Sequence, residues 1–158
     1  MECLLIGGAQ SVGKSETIYR LAQRLIRAGF GIIAGTLPIP FSDFRVVLEG
    51  SNKYGKKIKI IINSPTDTDI IINDFKVFFD SNGGSYDILI SSVRDDDFWP
   101  RPQFFSIMNI STPKDFILEI PLGKITRRGL NFPVALAWYQ QQNDFLIDHT
   151  LSNTPFDI

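Results

Sequence analysis

Between two apolar segments near the start of the chain lies GGAQSVGKS, residues 7–15, and it constrains the architecture more than any other stretch. Upstream, Cys3-Leu4-Leu5-Ile6 is a short unbroken apolar run, the kind that forms a strand buried on both faces. Downstream, Ile18, Leu21, Ala22, Leu25 and Ile26 recur at the spacing of one helical face, while Glu16, Arg20, Gln23, Arg24 and Arg27 fill the opposite one. Gly29 suits the position just past the end of that helix. A strand that turns through glycines directly into a helix points the positive end of the helix dipole back over the turn.

Gly8 to Ser15 fits the spacing G-x-x-x-x-G-K-[ST]. Glycines allow a tight turn whose N–H groups converge as a nest for phosphate oxygens. The helix N-terminus attracts the same anion. Lys14 adds a mobile positive charge, and the Ser15 hydroxyl is a ligand suited to Mg²⁺. At ordinary residue frequencies the pattern arises by chance in about one chain of this length in two hundred. The expected phosphate-binding residues are therefore Gly8, Ala9, Gln10, Ser11, Val12, Gly13, Lys14, Ser15 and Glu16. The competing reading is a glycine-rich strand-to-helix turn with no ligand.

On Gly8, Gly13, Lys14 and Ser15, in the setting of residues 3 to 28, the chain resembles the P-loop nucleoside triphosphatase superfamily, and among it small bacterial members. The resemblance implies a parallel-cored α/β/α fold and a bound nucleoside triphosphate with Mg²⁺. It also implies a metal-side carboxylate near the end of a second strand. "KIKIIIN" ends at Asn63, and its first following carboxylate is Asp67; the run "YDILISS" ends in serines, with Asp95, Asp96 and Asp97 beyond. GTPase-like members place this aspartate after a hairpin, which favours Asp67 as metal ligand beside Ser15. The alternatives are that Asp67 or Thr68 merely caps the next helix, and that Asp95 to Asp97 is a solvated turn or itself the metal contact.

Guanine-reading members carry N-K-x-D or T-K-x-D; here "STPKDF" sets Lys114 against Asp115 directly, which favours ATP over GTP or a base read mainly by backbone and stacking. Partition-type ATPases carry a lysine where Ala9 stands. Arg94, just after "YDILISS", is either the transition-state cation, with Lys14 and Asp67 completing the catalytic set, or a member of an ordinary surface ion pair. Lys124, Arg127 and Arg128 form a lid over phosphates, a contact for a polynucleotide or acidic partner, or a solvated loop.

The rest of the chain supplies a frame for one domain, residues 1–158. Chains of this size bury roughly 70% of their unfolded surface. Phe44 to Leu48 and Ile58 to Ile62, joined by GSNKYGKK, predict a hairpin. Residues 31–43 read as a connection with a short strand at Ile32-Ile33. Helices are expected over 70–80 (Ile71, Phe75, Phe78 and Phe79 on one face), over 104–110, and from Phe132 to His149 with Asn131 as cap and Pro133 in the first turn. Tyr86 to Ser92 and Asp115 to Ile120 complete the strands. The expected fold is a three-layer α/β/α domain with a mostly parallel five-stranded sheet and one antiparallel hairpin strand.

Composition narrows the function classes. Sixteen basic against seventeen acidic residues give a net charge of −1, which does not indicate nucleic-acid binding. One cysteine and one histidine, His149, leave no disulfide and no zinc site. No apolar run approaches a membrane span, and a cytoplasmic protein is expected. Trp99 with Phe98, and Trp138 with Tyr139, are expected as core or docking residues. Three functions stay open: a Mg-dependent NTPase coupled to a conformational or assembly step, a small-molecule kinase, and a non-catalytic nucleotide-binding regulator or scaffold. A protein partner and a homodimer are compatible with each.

Overall fold

Strand β1 (Glu2–Gly7) lies between β5 (Ile88–Ser92) and β6 (Phe116–Pro121) and runs parallel to both. Its apolar run explains that central place, because a strand with a neighbour on each side and a helix layer on each face meets no water. Leu4 and Ile6 point into one core, with Ile18 and Leu21 of helix α1 (Lys14–Arg27) and Ile147 and Leu151 of α4 (Phe132–Leu151). Cys3 and Leu5 point into the other, with Ile72 and Phe75 of α2 (Asp69–Ser81) and Phe104 of α3 (Pro100–Met108). The period-2 alternation of one strand thus builds both faces of a three-layer domain.

The computed structural model describes residues 1–95, 98–125 and 129–158. Of the residues singled out above, Asp96, Asp97, Arg127 and Arg128 lie outside the described residues.

The sheet is mixed and its order is β2-β3-β4-β5-β1-β6, with β2 (Gly31–Gly35), β3 (Arg45–Ser51) and β4 (Lys57–Asn63). β4 and β5 are parallel, whereas β3 runs against both β2 and β4. The described sheet therefore has six strands rather than the expected five. The additional strand is β2, a full edge strand rather than a fragment of a connection. Glycines at both ends, a register shift between Ile32 and Ala34, and half-exposed Ile32 and Ile33 make its sequence pattern weak.

Helix boundaries follow local chemistry. α1 ends with Gly29 at φ +104, its N–H donating to Ile26 O and that of Phe30 to Leu25 O, the paired bonds of a Schellman close. α2 is capped by Thr68, whose side chain accepts from the Ile71 N–H at 3.3 Å; of the expected face Phe75 and Phe79 are buried, joined by Ile72, while Ile71 and Phe78 are half-buried.

α3 starts at Pro100, four residues before the expected Phe104, and ends at Met108. Pro100 and Pro102 sit in its first turn, where no N–H is needed for the ladder. α4 runs two residues beyond His149, and Asn131 precedes it without a side-chain capping bond. Of α4's residues only Ile147 and Leu151 are buried. Trp99 and Trp138 are 50% and 55% exposed, so neither is a core residue. Among the described residues no helix is long and apolar enough to cross a membrane.

Candidate functional site

The glycine loop adopts the backbone that its sequence requires. Gly8 and Gly13 lie at φ +137 and +92, and Ser11 also takes a left-handed conformation at φ 61. A Cβ at Gly8 would stand 3.0 Å from the Leu122 carbonyl oxygen. Gly13 is the residue before α1 and brings no side chain to cap it, so the first-turn N–H groups and the dipole face the loop.

Lys14 is buried, and its Nζ donates to the carbonyl oxygens of Gly8 and Ala9 at 2.7 Å each, tying the loop across itself. Burial holds its ammonium below the usual lysine range, helped by nearby Arg94 and opposed by Asp67 and Asp95. The Ser15 hydroxyl donates to the Ser64 carbonyl oxygen at 3.1 Å, which fastens the start of α1 to the end of β4.

These residues open onto a cleft of about 340 Å³, lined also by Gln10, Ser11, Asp67 and Arg94. The three residues expected to carry catalysis, Lys14, Asp67 and Arg94, thus come together from the β1–α1, β4–α2 and β5–α3 connections. Strand ends on one edge of a sheet with parallel neighbours explain the convergence, since such connections gather at the carboxyl ends of the strands. Arg94 Nη1 pairs with Asp67 Oδ1 at 2.9 Å, and its guanidinium lies 4.5 Å from the Phe98 ring centroid. Asp67 is therefore not the cap of α2; Thr68 fills that role.

The floor between the β4 and β5 tips is fixed by buried polar groups. Asn63 Nδ2 donates to Pro65 O at 2.8 Å and to Ser91 Oγ at 3.1 Å, and the hydroxyls of Thr66 and Ser92 lie 2.9 Å apart. Asn63 and the serines that end "YDILISS" are thus structural struts, which is why no carboxylate stands at either strand end.

Several contributors have no signal in the sequence. Phe41 lines the cleft, held there by packing on Tyr19, with ring centroids 5.1 Å apart. Arg101 binds Glu119 through two bonds, of 3.1 and 2.6 Å, and also donates to the Arg94 carbonyl at 3.0 Å. A side chain on Gly7 would collide with the Glu119 carboxylate, so this glycine accommodates the ion pair beneath the loop. An isolated arginine and glutamate eighteen positions apart give no pattern; the parallel pairing of β1 with β6 sets Glu119 opposite Leu5, and α3 carries Arg101 to it.

The weaker candidates lie elsewhere. Asp115 is buried and receives the amino terminus at 3.3 Å, so "STPKDF" is a structural anchor. His149 is exposed near the end of α4. Cys3 is fully buried, and burial pushes its thiol up to about 12, too high for a thiolate nucleophile.

Fold and cleft together define a three-layer α/β protein with a mixed sheet and a glycine loop at the carboxyl end of its central strand. Comparisons with protein-family models, with curated proteins and with solved structures found no match for this chain.

Proposed function

We propose that the chain is a P-loop protein that binds a nucleoside triphosphate, with ATP favoured, and hydrolyses it with Mg²⁺ to drive a conformational or assembly step. The observation that carries this reading is the convergence of Lys14, Ser15, Asp67 and Arg94 on one cleft above a helix N-terminus.

Each residue has a distinct task. Loop amides and the α1 dipole hold the phosphate oxygens. Lys14 exchanges one of its carbonyl partners for a β- or γ-phosphate oxygen. Ser15 and Asp67 are oxygen donors of the kind Mg²⁺ prefers, and phosphate oxygens and water complete such a shell. Bound there, the cation would neutralise charge on the phosphates. Arg94, released from Asp67, turns its planar donors toward the transferring phosphoryl group. A water oxygen then bonds to the γ-phosphorus as the bond to the bridging oxygen breaks. Diphosphate nucleotide and inorganic phosphate leave, and the water's proton passes to solvent.

The test is phosphate release by purified protein with ATP and Mg²⁺. Turnover that needs Mg²⁺ and disappears in both Lys14→Ala and Arg94→Ala is expected. Tight ATP binding with no turnover, alone or with partners, would leave a binding protein and overturn the hydrolase.

A further inference from the structure

A second pocket, of about 300 Å³, shares Ser11, Gly13 and Glu16 with the phosphate cleft and lies between the glycine loop and α4. Its α4 wall is one helical stripe: Phe132, Leu136, Gln140 and Asn143 follow one another at four-, four- and three-residue steps. Two apolar side chains thus give way to two primary amides along the helix. Val12, at the crest of the loop, supplies another apolar contact.

Neither amide makes a side-chain hydrogen bond to the chain among the described residues, whereas neighbouring Tyr139 is committed. Its hydroxyl accepts the Gly123 N–H at 2.5 Å and holds the β6–α4 connection against α4. One and two turns beyond Gln140 the polar groups of α4 are used differently: Asp144 and Asp148 pair with Arg20 and Arg24 of α1, at 2.9 Å each. Gln140 and Asn143 are therefore polar groups with no structural employment, set in a mostly apolar recess that adjoins the phosphates.

We propose that this pocket receives the nucleobase, and that Gln140 and Asn143 select adenine. The inference rests on the nucleotide reading above and adds to it the part of the ligand that the glycine loop does not touch. Apolar walls suit the faces of a flat heterocycle, and a pocket of this volume lies at the small end of ligand sites, matching a base rather than a whole nucleotide. A carboxamide offers an acceptor beside a donor, and adenine presents the complementary pair in its N6 amino group and N7. The corresponding edge of guanine presents two acceptors and calls for arginine or lysine instead. Lys124 lines the pocket but is exposed to solvent.

Calorimetric titration with ATP, GTP and inorganic triphosphate, each with Mg²⁺, tests the assignment. ATP should bind about 5- to 150-fold more tightly than either of the others, the worth of one good bidentate base contact. Gln140→Leu with Asn143→Leu should bring ATP down to the affinity of GTP while triphosphate itself is unchanged, which also shows that the loop still folds. The near-isosteric Gln140→Glu should likewise weaken ATP and spare triphosphate.

Equal affinity of the wild-type chain for ATP and triphosphate overturns the base pocket and leaves the phosphate site standing. Tighter GTP than ATP, or variants with undiminished ATP affinity, overturns the role of the two amides. Binding of none of the three removes the nucleotide reading itself.

Discussion

The Lys14 ammonium has two carbonyl partners and little solvent, so its charge is both confined and aimed. Lys14→Ala should cost about 1.5–3 kcal/mol of phosphate binding, roughly 10- to 150-fold in affinity by calorimetry. Its depressed proton affinity adds a pH signature. Phosphate prefers the charged form, so binding must raise the lysine's proton affinity, and protons are then taken up as the complex forms. Affinity should fall on the alkaline side before an ordinary lysine, near 10.5, would titrate. Calorimetry in alkaline buffers of different ionisation heat should report that uptake, and Lys14→Ala should abolish it.

Asp67 and Thr68, adjacent in sequence, separate cleanly. Thr68→Ala removes the cap of α2 and should lower stability by about 1 kcal/mol in denaturant unfolding with little change in nucleotide affinity. Asp67→Asn should do the reverse, weakening the Mg²⁺ dependence of binding while leaving the half-exposed site's stability nearly intact.

Elements were legible in proportion to how much of their pattern is local. The β1–loop–α1 unit needs only thirty residues to state its strand, turn and helical stripe, and all three stand where the spacing put them. The hairpin of β3 and β4 was equally plain from its β-branched runs. β2 was legible only as a short strand at Ile32-Ile33, because an edge strand has one neighbour and a half-exposed face, so no alternation is enforced on it. α3 began early because its prolines occupy the one turn of a helix that tolerates them. The ion pair of Arg94 with Asp67 and that of Arg101 with Glu119 depend on strand order, which no local window contains. Gly35, at φ +74 and closely backed by the Arg45 carbonyl, shows how firmly β2 is nevertheless fixed. Gly35→Ala should destabilise the chain by about 1–3 kcal/mol, read as a lower midpoint in thermal unfolding.

At the scale of the molecule, three separate connections meet at one sheet edge, so a ligand there ties segments that are distant in sequence. Mg²⁺ with ATP at a hundredfold excess over its dissociation constant should stabilise the fold by about 2.7 kcal/mol. For a chain of this size that is a rise of roughly 5–10 °C in Tm, and Lys14→Ala at the same ATP concentration should show little of it. The position of β5 between β1 and β4 has a further consequence. Lys14 follows one of those flanking strands and Asp67 the other, and the tips of β1 and β4 stand two interstrand steps apart, about 9.6 Å. Backbone ladders do not stretch to suit a guest. The reach of this cleft across the sheet is a fixed gauge, set by the thickness of one strand, and side-chain substitutions along β5 can recolour its floor without altering the measure.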